Sequence, residues 1–169
     1  PYSFGKVAAT QFLQMLYRTE QFPAVVVRLF LTYGPGQDGK RFLPQIIKGC
    51  LSEKPFPTSE GKQLRDFCHV RDVAMGLVKA VRTPAAQGEV INLASGQAVA
   101  IREMVKMACR LIGGGSPEFG QVPYRPGENM ALYADISKAC RLLNWHPEIP
   151  LEMGLQELIE WGREQGWAE

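Results

Sequence analysis

Apolar residues follow two different spacings along this chain, and prolines and glycines mark where one gives way to the other. Ala24 to Gln37 reads AVVVRLFLTYGPGQ, with Val25, Val26 and Val27 leading into Leu29, Phe30 and Leu31 between Pro23 and Gly34-Pro35-Gly36. A continuous β-branched and apolar run bounded this way predicts a strand buried on both faces, as in parallel sheets covered by helices. Ligands of open parallel sheets sit beyond the carboxyl ends of the strands, which places Thr32 to Gln37 at the rim of a crevice. Arg28, inside such a run, is expected to need a carboxylate or carbonyl partner. A second strand is predicted over Glu89–Leu93, ending near Ser95-Gly96.

Elsewhere the spacing is helical. Tyr2–Glu20 predicts a helix whose apolar residues (Val7, Phe12, Leu13, Met15, Leu16) lie on more than one side, stopped by Pro23. Arg41–Leu51 predicts another, provided Pro44 falls in its first turn. Gly61–His69 reads as a short extended piece with Leu64 and Phe67 buried, and Val70–Val81 as a helix packing through Val73, Leu77, Val78 and Val81. Ala85–Gly88 is a turn. Ile101–Ile112 is the clearest amphipathic helix, closed by Gly113-Gly114-Gly115. Its N-cap position is Ala100, which has no oxygen to offer, although Glu103 stands where a capping box places its acid. Gln121–Tyr124 reads as a short strand and Arg125–Glu128 as a turn. Asp135 caps a short helix through Leu143, and Leu151–Gln165 is the final helix, starting after Pro150. Alternating helices and apolar strands predict an α/β fold, with the helix-rich back half as a subdomain leaning on a sheet edge.

Composition narrows the function classes. A length of 169 residues fits one domain, and a net charge of +2 makes no electrostatic case for nucleic acid. No apolar run approaches the roughly 20 residues of a membrane helix, and no signal peptide is visible. Cys50, Cys68, Cys109 and Cys140 lie far apart without a C-x-x-C spacing, so they read as reduced thiols of a cytoplasmic protein, with no metal site and no disulfide frame. The chain opens on Pro1-Tyr2, without an initiator Met and already in helical sequence, which reads as a fragment or a processed chain.

Three groups of residues could carry chemistry. Tyr2 and Lys6 are four apart and share a helix face. A neighbouring ammonium favours phenolate, and a tyrosine so placed can exchange a proton with a sugar or alcohol hydroxyl. Alone, this spacing arises often by chance, and a solvated helix face is the better reading of it. Within QLRDFCHVRDV, the planar fork of Arg65 suits a phosphate, and the competing reading is a structural network of Arg65, Asp66, Arg71 and Asp72. His69 reads as a packed histidine, because no second ligand stands at metal spacing. Arg125 and Glu128, flanking Pro-Gly, could embrace a nucleotide or form an ordinary surface turn.

In content and order, Tyr2/Lys6, RLFLTYGPGQ, RDFCHVRDVA, RPGE and ADISKACRLLNWHP resemble the C-terminal half of the extended short-chain dehydrogenase/reductase family, the NAD-dependent epimerases, dehydratases and 4-keto reductases of nucleotide sugars. The resemblance runs over essentially the whole chain. It implies the C-terminal part of a Rossmann-like parallel sheet with a small α-rich substrate-binding subdomain, so that residues 1–169 are the substrate-binding portion and the glycine-rich dinucleotide-binding part is absent. It implies Tyr2 as acid/base and Lys6 as its partner, with Tyr2, Lys6, Tyr33 and Gly34 near the cofactor and the Thr32–Gly36 loop bordering nicotinamide and sugar. Arg65, Arg125 and Glu128 would hold a nucleotide-diphosphate sugar. NAD or NADP would serve the complete enzyme, while this chain alone, lacking a G-x-x-G-x-x-G turn, is expected to bind none and to be inactive by itself. A homodimer through the first helix is implied too. Leu31, where many relatives carry Asn, and Arg71, where many carry an acid, depart from the pattern. The alternative from another class is a non-catalytic binding or interaction module.

Overall fold

The computed structural model describes residues 1–52 and 54–167. In chain order the helices are α1 (Tyr2–Glu20), α2 (Phe42–Leu51), α3 (Val70–Arg82), α4 (Ile101–Ile112), α5 (Ser137–Leu143) and α6 (Leu151–Glu164). The strands are β1 (Val26–Leu29), β2 (Leu31–Tyr33), β3 (Pro55–Thr58), β4 (Leu64–Arg65), β5 (Phe67–His69), β6 (Val90–Leu93), β7 (Val99–Ala100), β8 (Ser116–Phe119) and β9 (Ala131–Leu132). The fold is α/β and its strand pairs are parallel, except for the antiparallel pair β4–β7. No helix among the described residues is long and apolar enough to cross a membrane.

The valine-rich run forms β1 and β2 in succession, broken at Phe30, because the chain changes partners there. Val26 to Leu29 pair with Val90 to Leu93, whereas Leu31 to Tyr33 pair with Phe67 to His69. The Leu31 N–H, bonded to the Asp66 carbonyl, makes the switch. Burial on both faces, expected from the sequence, is not observed: Arg28, Leu29 and Leu31 are exposed. In the open, Arg28 keeps its hydration, so the partner expected for it is not required.

Three further expectations are corrected. In α3 the buried face runs through Asp72, Val73, Gly76 and Ala80, while Leu77 and Val78 are exposed and Val81 is 86% exposed. Gly76 sets this rotation: a Cβ there would come within 2.6 Å of Leu93, so the glycine side is the one that can approach β6. Gln121–Tyr124 is not a strand; the extended piece is β8, paired with β3. Pro55, Pro57 and Pro117 hide this pair in the sequence, since proline argues against a strand except at an edge. Leu64, expected in the core, is half-buried, though Phe67 is buried. The helices of the back half pack with α2. Ile47 of α2, Met104 and Val105 of α4, and Leu155 and Leu158 of α6 form one fully buried cluster against Tyr33 and Phe67. A second cluster joins Val73 of α3, Ile91 and Leu93 of β6, and Leu143 and Trp145 after α5.

Local rules account for the ends of these elements. Pro44 sits in the first turn of α2, where its missing N–H costs nothing. Helix α4 starts at Ala100 without a side-chain cap and ends on Gly113 in the left-handed region, φ 78°. The Asp135 carboxylate accepts the Ser137 N–H at 2.8 Å at the start of α5. In the first turn of α3, buried Asp72 accepts the N–H groups of Glu148 and Ile149, both at 3.1 Å, and ties the segment before α6 to α3.

Candidate active site

Helix α1 runs beside the carboxyl end of β1 and leaves a cleft of about 900 Å³ between them. Tyr2, Lys6 and Thr10 line its α1 wall, and Leu31, Arg65 and Asp66 line the other. Helical spacing puts the first three on one face. The Lys6 ammonium stands 5.5 Å from the centre of the Tyr2 ring. Both side chains are exposed, and Tyr2 is 78% so. A second cleft, about 640 Å³, continues from the same strip of Leu29 to Leu31 and reaches Thr32, Gln37 and Arg41. Tyr2 borders both clefts.

Arg65 is held in place. Its guanidinium donates to the Leu64 carbonyl at 2.7 Å and forms an ion pair with Glu128. The side chain is 12% exposed, so desolvation makes the pair matter more than a surface one. An incoming anion would meet a planar, pre-oriented donor already engaged with a carboxylate.

Behind Arg65, Asp66 acts as a clamp. One carboxylate oxygen accepts the Ser95 N–H and hydroxyl, each at 2.7 Å; the other accepts Gly96 N–H at 2.9 Å and Ala134 N–H at 3.3 Å. The loops after β6 and β9 are thereby tied to the strand that carries Arg65. The network of Arg65, Asp66, Arg71 and Asp72 weighed as an alternative is not formed. Arg65 pairs with Glu128, Arg71 pairs with Glu157, and both aspartates satisfy backbone amides.

Tyr33 and Gly34 turn inward. The Tyr33 side chain is buried, its hydroxyl donates to the Leu151 carbonyl at 3.3 Å, and its ring packs edge-on against His69. Burial, reinforced by Cys68, Asp72 and Glu157, pushes its ionisation upward, so it stays a neutral phenol. Gly34, at φ 143°, packs so closely that a Cβ would lie 2.7 Å from Val70 and 3.0 Å from His69 Nε2. Tyr33 also lines the second cleft, whereas Gly34 is on the wall of neither. Both residues fasten the loop to α3 and α6.

His69 is the packed histidine expected. It is 2% exposed, and its Nδ1 accepts the Arg71 N–H at 3.3 Å as the cap of α3. Burial lowers its pKa below the ordinary 6.5, against a smaller upward pull from Glu157 at 3.5 Å. Arg125 stands exposed on its turn and is not on the wall of either cleft, although the turn also carries Glu128. Sequence reasoning did not single out Thr32 and Gln37 as polar groups of the site. The Thr32 hydroxyl and the Gln37 amide oxygen are buried without a hydrogen-bond partner among the described residues, where most such atoms have one. The clamp role of Asp66 was also missed; a charge inside an apolar segment was the available signal.

Residues 1–94 match the sequence profile of a family described as the NAD dependent epimerase/dehydratase family. The UDP-glucuronate 4-epimerase of Thermodesulfobacterium geofontis is 32% identical over 97% of this chain and 50% of its own length. The dTDP-glucose 4,6-dehydratase of Neisseria gonorrhoeae is 32% identical over 95% of this chain and 50% of its own. The crystal structure of UDP-glucuronic acid 4-epimerase from Bacillus cereus, in complex with UDP-glucuronic acid and NAD, superposes with a TM-score of 0.87 at 30% identity, covering 98% of this chain and 53% of that one. The chain spans about half the length of the curated relatives it matches.

Proposed function

This chain belongs to the NAD-dependent epimerase/dehydratase family, and from that premise we propose that it is the substrate-binding portion of a nucleotide-sugar epimerase, dehydratase or 4-keto reductase. The observation that carries the reading is the shared cleft: Tyr2 and Lys6 on one wall face Arg65 on the other.

Tyr2 exchanges a proton with a hydroxyl or keto oxygen of the sugar, through a phenol that borders both clefts. Lys6, one turn further along α1, brings its ammonium to the same cleft, 5.5 Å from the centre of the Tyr2 ring. Arg65 takes the diphosphate, and Glu128, released from its ion pair, becomes free to accept a ribose hydroxyl. Arg125, on the same turn, adds a second cation to the diphosphate. The unpartnered Thr32 hydroxyl and Gln37 amide oxygen suit sugar hydroxyls beyond Tyr2. In the complete enzyme a bound NAD or NADP would supply the hydride chemistry at the sugar. The exposed Tyr2 and Lys6 fit its nicotinamide–ribose end, which needs hydrogen-bonding groups open to the cleft. The chain acts as a homodimer in which a second copy covers the apolar residues of α1, and its four free cysteines suit the cytoplasm.

Calorimetric titration with UDP and dTDP tests the substrate assignment. Arg65→Ala and Arg125→Ala should each weaken binding by about 1.5–3 kcal/mol, the scale of hydrogen bonds to charged groups, while Arg71→Ala should leave it unchanged. Equal small losses at all three positions would overturn the assignment.

A further inference from the structure

We propose that Cys50 and Cys109 are a modification site: a thiol pair that an oxidant of the peroxide class converts reversibly into a disulfide joining α2 to α4. The Sγ atoms lie 3.4 Å apart across the packed interface of the two helices, although the residues are 59 apart in sequence. That contact leaves side-chain rotation only a short way to go to the roughly 2.05 Å of a bond. The surrounding backbone is close-fitting. Gly113 and Gly114 both direct their N–H groups at the Cys109 carbonyl, at 2.9 and 3.2 Å. Gly115, at φ 103°, lies where a Cβ would come within 2.9 Å of Cys50 Sγ. The glycine run that ends α4 therefore also packs over the pair. Neither cysteine lines either cleft of the candidate active site.

The two thiols differ in access, and this sets the order of events. Cys50 is 1% exposed, and burial pushes its ionisation upward, further raised by Cys109 beside it. Cys109 is partly exposed and is the one an oxidant can reach. The Cys109 thiolate attacks a peroxide oxygen; the O–O bond breaks, sulfenic acid forms and hydroxide leaves. Cys50 then attacks the Cys109 sulfur as its thiol proton passes to the departing hydroxyl. The S–S bond forms, the S–O bond breaks and water leaves. In total two thiols lose two protons and two electrons, and the peroxide becomes two waters. Reduction runs the other way by thiol exchange at Cys109. The bond would tie α2 to α4 within the first cluster of the core, and it would close a long loop in the unfolded chain.

The test uses the full 169-residue chain carrying Cys140→Ser, which removes the exposed cysteine that could link two copies. After peroxide treatment, intact mass should fall by two hydrogens. Unreduced peptide mapping should show the Cys50 and Cys109 segments joined, and dithiothreitol should separate them. The oxidised form should melt several degrees higher than the reduced form, as expected for a cross-link closing a loop of this size. Cys109→Ser should leave Cys50 unreacted; Cys50→Ala should let Cys109 proceed to the sulfinic acid. Circular dichroism confirms that each variant is folded. Oxygen added to Cys109 with Cys50 still a free thiol in the Cys140→Ser chain, or no reaction at either while the chain stays folded, would overturn the proposal.

Discussion

Helices α1 and α4 are both rich in apolar residues, yet α4 buries Ile101, Met104, Val105 and Ala108 while α1 buries none. The difference lies in what each helix meets. In α4 the apolar residues fall on one stripe that α2 and α6 cover, and its polar side chains pair outward, as Lys106 does with Glu103 at 3.0 Å. In α1 they are spread round the helix, and the side toward the sheet is given over to Tyr2, Lys6 and the cleft. Val7, Phe12 and Met15 are left exposed. Apolar content marks a surface that gains from being covered; it does not say by what.

The largest effect that separates the two helices should come from truncation. Met104→Ala removes a side chain that is 0% exposed and should cost about 2–5 kcal/mol in urea denaturation. Phe12→Ala, at 55% exposure, should cost well under about 1 kcal/mol at low protein concentration. A cost for Phe12→Ala that grows with concentration would identify α1 as the contact between copies; a large cost at all dilutions would erase the contrast.

Glycine gives the next test, because one substitution should act with opposite signs. In α6, a Cβ at Gly154 would meet the Tyr33 hydroxyl at 2.4 Å and His69 at 2.9 Å, so Gly154→Ala should destabilise by about 1–3 kcal/mol through overpacking. In α1, Gly5 has nothing within 4 Å of that position, and Gly5→Ala should stabilise by about 0.5–1 kcal/mol through the unfolded chain. Thermal melts of both variants check it; losses at both sites would mean α1 is covered.

A smaller gain is available where α4 begins. Ala100 caps the helix without a side-chain hydrogen bond. Ala100→Ser should add about 1 kcal/mol, and Glu103→Ala should then cost more in the serine background than in the parent. Absence of both effects in a urea-denaturation cycle would place the start of α4 elsewhere.

The smallest effect is the pH response of the packed region. Burial holds the His69 pKa below its ordinary 6.5, so the folded chain resists a proton that the unfolded chain accepts. Its contribution to stability is complete above pH 6.5 and declines as pH falls below that value toward the folded pKa. Urea midpoints followed through that range should drop, and His69→Asn, which keeps a capping oxygen, should flatten the slope. An unchanged slope would assign the titration to another group.

Sequence alone determined the α/β class, the span of α1 and α4 to the residue, and the pairing of Tyr2 with Lys6 on one face. Each follows from period, capping or glycine chemistry acting within a few residues. The order of motifs likewise carried the family. Tertiary structure decided what depends on neighbours distant in the chain. It broke the valine run at Phe30, because β1 and β2 find different partners. It turned α3 onto Gly76, because only that side clears Leu93. It paired Arg65 with Glu128 across 63 residues of sequence, and it gave Asp66 its donors on two loops. Period specifies which face of an element is apolar, whereas close packing and the need to satisfy buried charge specify which face is used.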